Sequence, residues 1–238
     1  MFIRRENFKQ YITLYPVVSS IMAINFIVFL LTLIPGFGTW LLYTGASVNG
    51  LIAEGEWWRV VTSMFLHAGF THVLFNMFSL FLFGPELEKI AGKMRFLTIY
   101  FLTGIFGVAA TYLTQDAGYA SVGASGALYG IFGAFAALVY YTRHLFPQLK
   151  QIILPLIVVS VFMTFITPNI NIAAHLGGLI AGFVLGIVYF KSKKHDTWAQ
   201  KKYHTFKILK TTALLLNESG RFYCSYQPKI RSTSCCST

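Results

Sequence analysis

Charge is what this chain has least of. Asp, Glu, Lys and Arg together make up 11% of its 238 residues, against about 25% in an ordinary soluble domain. Acidic side chains are the scarcer sign, eight against nineteen Lys and Arg, for a net charge of +11. Cysteine is nearly missing, since all three (Cys224, Cys235 and Cys236) fall in the last fifteen residues. No disulfide framework can be read from them, and the adjacent pair reads as reduced, unmodified thiols and not as palmitate acceptors. No carboxylate-rich stretch and no Cys/His cluster has metal-ligand spacing, so neither a metal nor a cofactor is expected.

Apolar residues fill the space. They make up 55% of the chain, 23 of them Phe, and the mean hydropathy is +0.61. This composition describes a polytopic, all-α membrane protein with no room for a separate soluble domain. The basic residues sit in short clusters between apolar runs and in the tail, as membrane orientation requires, so nucleic acid is not an expected partner.

Read in order, residues 1–16 form a cytoplasmic arm carrying Arg4, Arg5 and Lys9. The first apolar run lacks a small-x-small cleavage site, so it reads as a retained span and not a signal peptide. Six spans follow: 17–34, 70–83 (closed by Gly84-Pro85), 96–113, 122–141, 151–166 and 172–190. They make one six-helix bundle over 17–190, and 191–238 is a basic cytoplasmic tail. Between the first two spans, residues 39–63 combine Trp40, Tyr43, Trp57 and Trp58 with Glu54, Glu56 and Arg59. That mixture suits a half-embedded loop in the membrane interface. With the N-terminus inside, the cytoplasmic segments hold Lys89, Lys93, Arg95, Arg143 and Lys150 besides the arm and tail, and the external ones only Arg59.

Polar residues inside the spans are few and fall at one level. Ser125 opens the fourth span within Gly123-Ala124-Ser125-Gly126, and His175 lies just inside the sixth. An ionisable group in a span is costly and points to a site, and a hydroxyl beside an imidazole suggests a nucleophile and its base. His72 and Asn76 share one face of the second span at i, i+4 spacing. His72, Ser125 and His175 all lie on the order of 5–8 Å below the external boundary. Glycine stripes at Gly126, Gly130 and Gly133 and at Gly178, Gly182 and Gly186 would let the fourth and sixth spans pack closely. Tyr129, one turn below Ser125, could support the imidazole. Gly123 and Gly126 leave backbone N–H groups near the serine unshielded, as an oxyanion site would use. His67 reads as a histidine at the helix mouth, satisfied by water. Asp116 reads as a solvated turn residue, which leaves a dyad and not a triad.

Together these motifs resemble the rhomboid family of intramembrane serine proteases over about residues 17–190. The G-x-S-G motif is Gly123 to Gly126, H-x-x-G-x-x-x-G is His175, Gly178 and Gly182, and H-x-x-x-N is His72 and Asn76. Trp58-Arg59 and Glu88 match further family positions. The resemblance implies that Ser125 is the nucleophile, His175 the base, and His72 and Asn76 part of the oxyanion hole. It implies cleavage of transmembrane segments of other proteins in a lipid bilayer, here a bacterial plasma membrane. Two rival readings are a non-catalytic membrane chaperone on the same scaffold and a small-solute transporter. The shallow level and lack of internal repeats speak against a transporter, whose site tends to lie at the midplane.

The charge asymmetry predicts both termini inside. In intact cells, a membrane-impermeant thiol reagent should label Trp57→Cys and leave Gln200→Cys unlabelled. Labelling at 200 would invert every loop.

Overall fold

The computed structural model describes residues 6–142 and 147–191. Arg4, Arg5, Arg143, His144, the tail beyond Lys191 and all three cysteines lie outside the described residues.

Helix α1 (Phe8–Leu14) starts in a capping box, Asn7 Oδ1 accepting from Gln10 N and Gln10 Oε1 from Asn7 N. Helix α2 (Pro16–Thr32) follows at a bend of 111°. Pro16 stands at its first position, where no N–H is needed. The arm is thus more than a basic lead-in, since Tyr11 and Tyr15 are buried in the core and Tyr11 stacks on Phe81 at 5.2 Å.

The connection after α2 folds as α3 (Phe37–Gly45), β1 (Ser47–Val48), α4 (Asn49–Ala53), α5 (Arg59–Thr62) and a 3-10 turn over Ser63–Phe65. Arg59 is its hub. Only 2% exposed, it pairs with Glu56 at 2.6 Å and donates to the Tyr43 and Ala46 carbonyls at 2.7 and 2.8 Å. A charge buried this deeply persists only when paired and hydrogen-bonded. The Trp58 indole adds a bond to the Thr44 carbonyl at 3.1 Å.

Helix α6 (Phe70–Ala91) is longer than the sequence suggests. Gly84-Pro85 does not end it; Pro85 lies inside the helix. An interior proline costs about 3 kcal/mol, but the turn beyond it carries Leu87 at 0% and Glu88 at 3% exposure. The Glu88 carboxylate accepts from Val17 N and Val18 N at 3.2 and 2.9 Å, filling two of the open donors at the start of α2. Packing and this cap outweigh the lost bond.

Helix α7 (Lys93–Thr114), strand β2 (Ala120–Ser121), α8 (Ser125–Thr142), α9 (Pro147–Ile166) and α10 (Ile172–Phe190) complete the order. The two short strands pair antiparallel, Ser47 opposite Ser121 and Val48 opposite Ala120. Among the described residues, α6, α7, α8 and α10 are long and apolar enough to cross a bilayer, and α1 with α2 would make a fifth crossing.

Helix α8 is the most enclosed, and α10 runs parallel to it. A Cβ at Gly178 would overlap the Gly126 carbonyl, and one at Gly182 the Gly130 carbonyl. On the opposite side of α10, Ile180, Val184 and Val188 are 52–64% exposed. This glycine-in, aliphatic-out pattern suits a helix facing lipid and packing by backbone approach.

Gly182→Ala should therefore be destabilising by about 1–3 kcal/mol, the usual cost of overpacking. Ile180→Ala, on the exposed face, should change little. Thermal unfolding in detergent checks both, and equal stability of Gly182→Ala with the parent would place the two helices farther apart.

Candidate active site

Ser125 is the first residue of α8, so the N–H groups of the opening turn have no partner within the helix. What holds it there is the connection before α6. Gly50 N donates to the Ala117 carbonyl at 2.7 Å, Asn49 N to Tyr119 at 3.2 Å, and the β1–β2 ladder carries the alignment forward. Gly123 N then donates to the Ser63 carbonyl at 2.9 Å. The amide of Gly123 is therefore engaged and is not the open donor that the sequence suggests. Its value is conformational: φ is +130°, and a Cβ would stand 2.7 Å from His72 Nε2.

His72 itself is half-buried. Its Nδ1 lies 3.5 Å from Ala68 N, and its Nε2 is the atom facing Gly123. Asn76, buried one turn on, donates to the His72 carbonyl at 2.9 Å and so braces that turn with one of its two amide hydrogens. His67 differs from expectation. It is 2% exposed and lies edge-on to His72 with ring centroids 5.0 Å apart. Burial, with His72 beside it, pushes its imidazole down to about 4, so it is neutral at physiological pH.

Asn171 caps α10, accepting from Ala174 N at 3.0 Å and donating to Thr111 Oγ1 at 2.9 Å. One turn in, His175 is buried, with its ring stacked on Tyr129 at 3.9 Å and 15°. Its Nδ1 meets Thr164 Oγ1 at 3.0 Å, and Thr164 Oγ1 meets Tyr129 Oη at 2.5 Å. No hydrogen bond joins Ser125 to His175 among the described residues. A small recess of about 30 Å³, lined by Ser63, Gly104, Ser125, Gly126, Asn171 and Ala174, opens beside the serine and has room for water. Asp116 is exposed and takes part only through its backbone, accepting from Asn49 and Tyr119. Among the described residues no group of His, Cys, Asp and Glu could hold a metal.

Three participants have no motif in the sequence. Thr164 and Ser160 lie in a span that looks purely aliphatic, and their i, i+4 spacing is the available signal. Asn171, a polar residue four before His175, is the third.

Residues 54–192 match the family model described as the Rhomboid domain. "Putative rhomboid protease YdcA" of Bacillus subtilis (strain 168) is 44% identical over 196 residues, covering 82% of this chain and 98% of the relative. "Rhomboid protease GluP" of the same organism is 38% identical over 166 residues, 68% of this chain and 32% of the relative. "RHOMBOID-like protein 5" of Arabidopsis thaliana is 37% identical over 147 residues, 60% of this chain and 48% of the relative.

Proposed function

Since the chain belongs to the rhomboid family, we propose that it is an intramembrane serine protease that cleaves transmembrane segments of other proteins through a Ser125–His175 dyad. It is an integral membrane protein, and the family model and the named proteases among its relatives support the enzyme class.

The observation that carries the dyad is the glycine seam. Gly178 lies on Gly126, and the Ala174 carbonyl also faces Gly126, so the seam supports a reading in which His175, between Ala174 and Gly178, and Ser125, just before Gly126, share one level. Ser125 Oγ attacks the scissile carbonyl while His175 accepts its proton, and the imidazolium then donates to the leaving amine. The resulting ester is hydrolysed by water activated in the same way. The developing oxyanion is stabilised by the open N–H groups of the first α8 turn, whose helix end favours negative charge. His72 Nε2–H adds a donor, and Asn76 holds that ring's turn. Gly123 supplies the close approach, and Trp58 and Arg59 stiffen the connection that supports it. The bond between serine and base forms in the substrate complex, since catalytic hydrogen bonds commonly tighten only there.

Six crossings fit this reading. Helix α2 has 17 residues, about 26 Å of helix, and α9 has 20, about 30 Å, close to the thickness of a hydrocarbon core. The connection lies half-embedded on the external side, with a domain over 17–190 between a cytoplasmic arm and the cytoplasmic tail 191–238. The setting is a bacterial plasma membrane, the partners are lipid and transmembrane substrates, and neither metal nor cofactor takes part.

Ser125→Ala should abolish cleavage of a model membrane substrate while the protein remains folded. His175→Ala should lose about 10²–10⁴ in rate or more, and the double variant should be little worse than either. Asp116→Ala should keep most activity. Purified protein treated with a serine-directed phosphonate should carry the adduct on Ser125 by mass spectrometry. Normal cleavage by Ser125→Ala would end the protease assignment.

A further inference from the structure

Four polar groups from three helices meet behind His175, and their distances allow one arrangement of protons. Tyr129 Oη lies 2.6 Å from the Ser160 carbonyl and 2.5 Å from Thr164 Oγ1, which lies 3.0 Å from His175 Nδ1. Each of these three short contacts needs a hydrogen. The two hydroxyls supply one each. A carbonyl cannot donate, so the hydrogen at Ser160 comes from Tyr129. Tyr129 then has none left for Thr164, and the hydrogen between the two hydroxyls is that of Thr164. Thr164 has none left for the imidazole, so the third hydrogen sits on His175 Nδ1. The remaining contact, Thr164 Oγ1 to the Ser160 carbonyl, is the longest at 3.1 Å and is not needed.

We propose that Thr164 is a positioning residue, which through the relay His175 Nδ1–H to Thr164 to Tyr129 to the Ser160 carbonyl holds the neutral base with its lone pair on Nε2. This rests on the reading of His175 as the base. A general base must present an unprotonated nitrogen, and in a neutral imidazole the bond made by one nitrogen fixes which that is. Thr164 is 1% exposed and Tyr129 8%, so water does not compete for these bonds. The stack of Tyr129 on the ring at 15° sets its plane, and Thr164 sets its rotation and tautomer. The role resembles that of the buried acid in a triad, with one difference: a threonine accepts the Nδ1 hydrogen without bringing a charge into the membrane. Asp116, exposed in its loop, has no part in it.

The test uses the full-length purified protein labelled with ¹⁵N-histidine. In the parent, the His175 signals, assigned by their loss in His175→Ala, should report hydrogen on Nδ1 and a bare Nε2. Thr164→Val keeps the shape and removes the hydroxyl. It should shift the ring toward the Nε2–H form and lower kcat about tenfold or more, with KM moved less than about twofold. Thr164→Ser should restore both the spectrum and the turnover. An Nε2–H signal in the parent would overturn the proposal, whatever the variants' folding. So would Thr164→Val with unchanged spectrum and kcat. Full activity in His175→Ala would instead refute the dyad, which keeps the two failures apart.

Discussion

The rest of the molecule depends on the contact between two backbones. Where Gly178 meets the Gly126 carbonyl and Gly182 meets that of Gly130, α8 and α10 approach more closely than any side chain would allow. Inside a bilayer, apolar side chains gain little by leaving lipid for one another, so helices associate by fit and by polar bonds. The seam supplies the fit. It also fixes the level of one helix against the other in steps of a turn.

Around this pair, the remaining elements divide the task of orientation. The connection before α6 fixes the strand of chain entering α8, through the β1–β2 ladder and the Gly123 amide on Ser63. Arg59, buried with Glu56 and two carbonyls, keeps that connection from being a loose loop. On the far side, α9 contributes Thr164 and the Ser160 carbonyl behind the imidazole. Reactive groups on rigid elements, each with its own bonds to a second layer, are what preorganisation consists of.

Much of this is legible in the sequence. Apolar runs with helical length, the i, i+4 pair His72 and Asn76, and the glycine stripes all report on one helix at a time, and periodicity reads such things well. What failed to show depends on pairs. Two-residue strands carry no alternation, so β1 and β2 were invisible. Gly84-Pro85 reads as a stop because local propensity says so, whereas a buried turn and a distant helix start outweigh it. His67 lies at a helix mouth in sequence and under protein in space. Thr164 looked like one small residue among aliphatics, since a partner eleven residues on and another thirty-five back have no local signature.

The bond from Glu88 to the start of α2 joins residues 70 and 71 positions apart. A ribosome makes Val17 and Val18 well before it makes Glu88. For that interval their amides lack this partner, and the start of α2 is left with the open donors of any helix end. The cap arrives only with the far half of α6. An early helix is therefore finished by a residue of a later one.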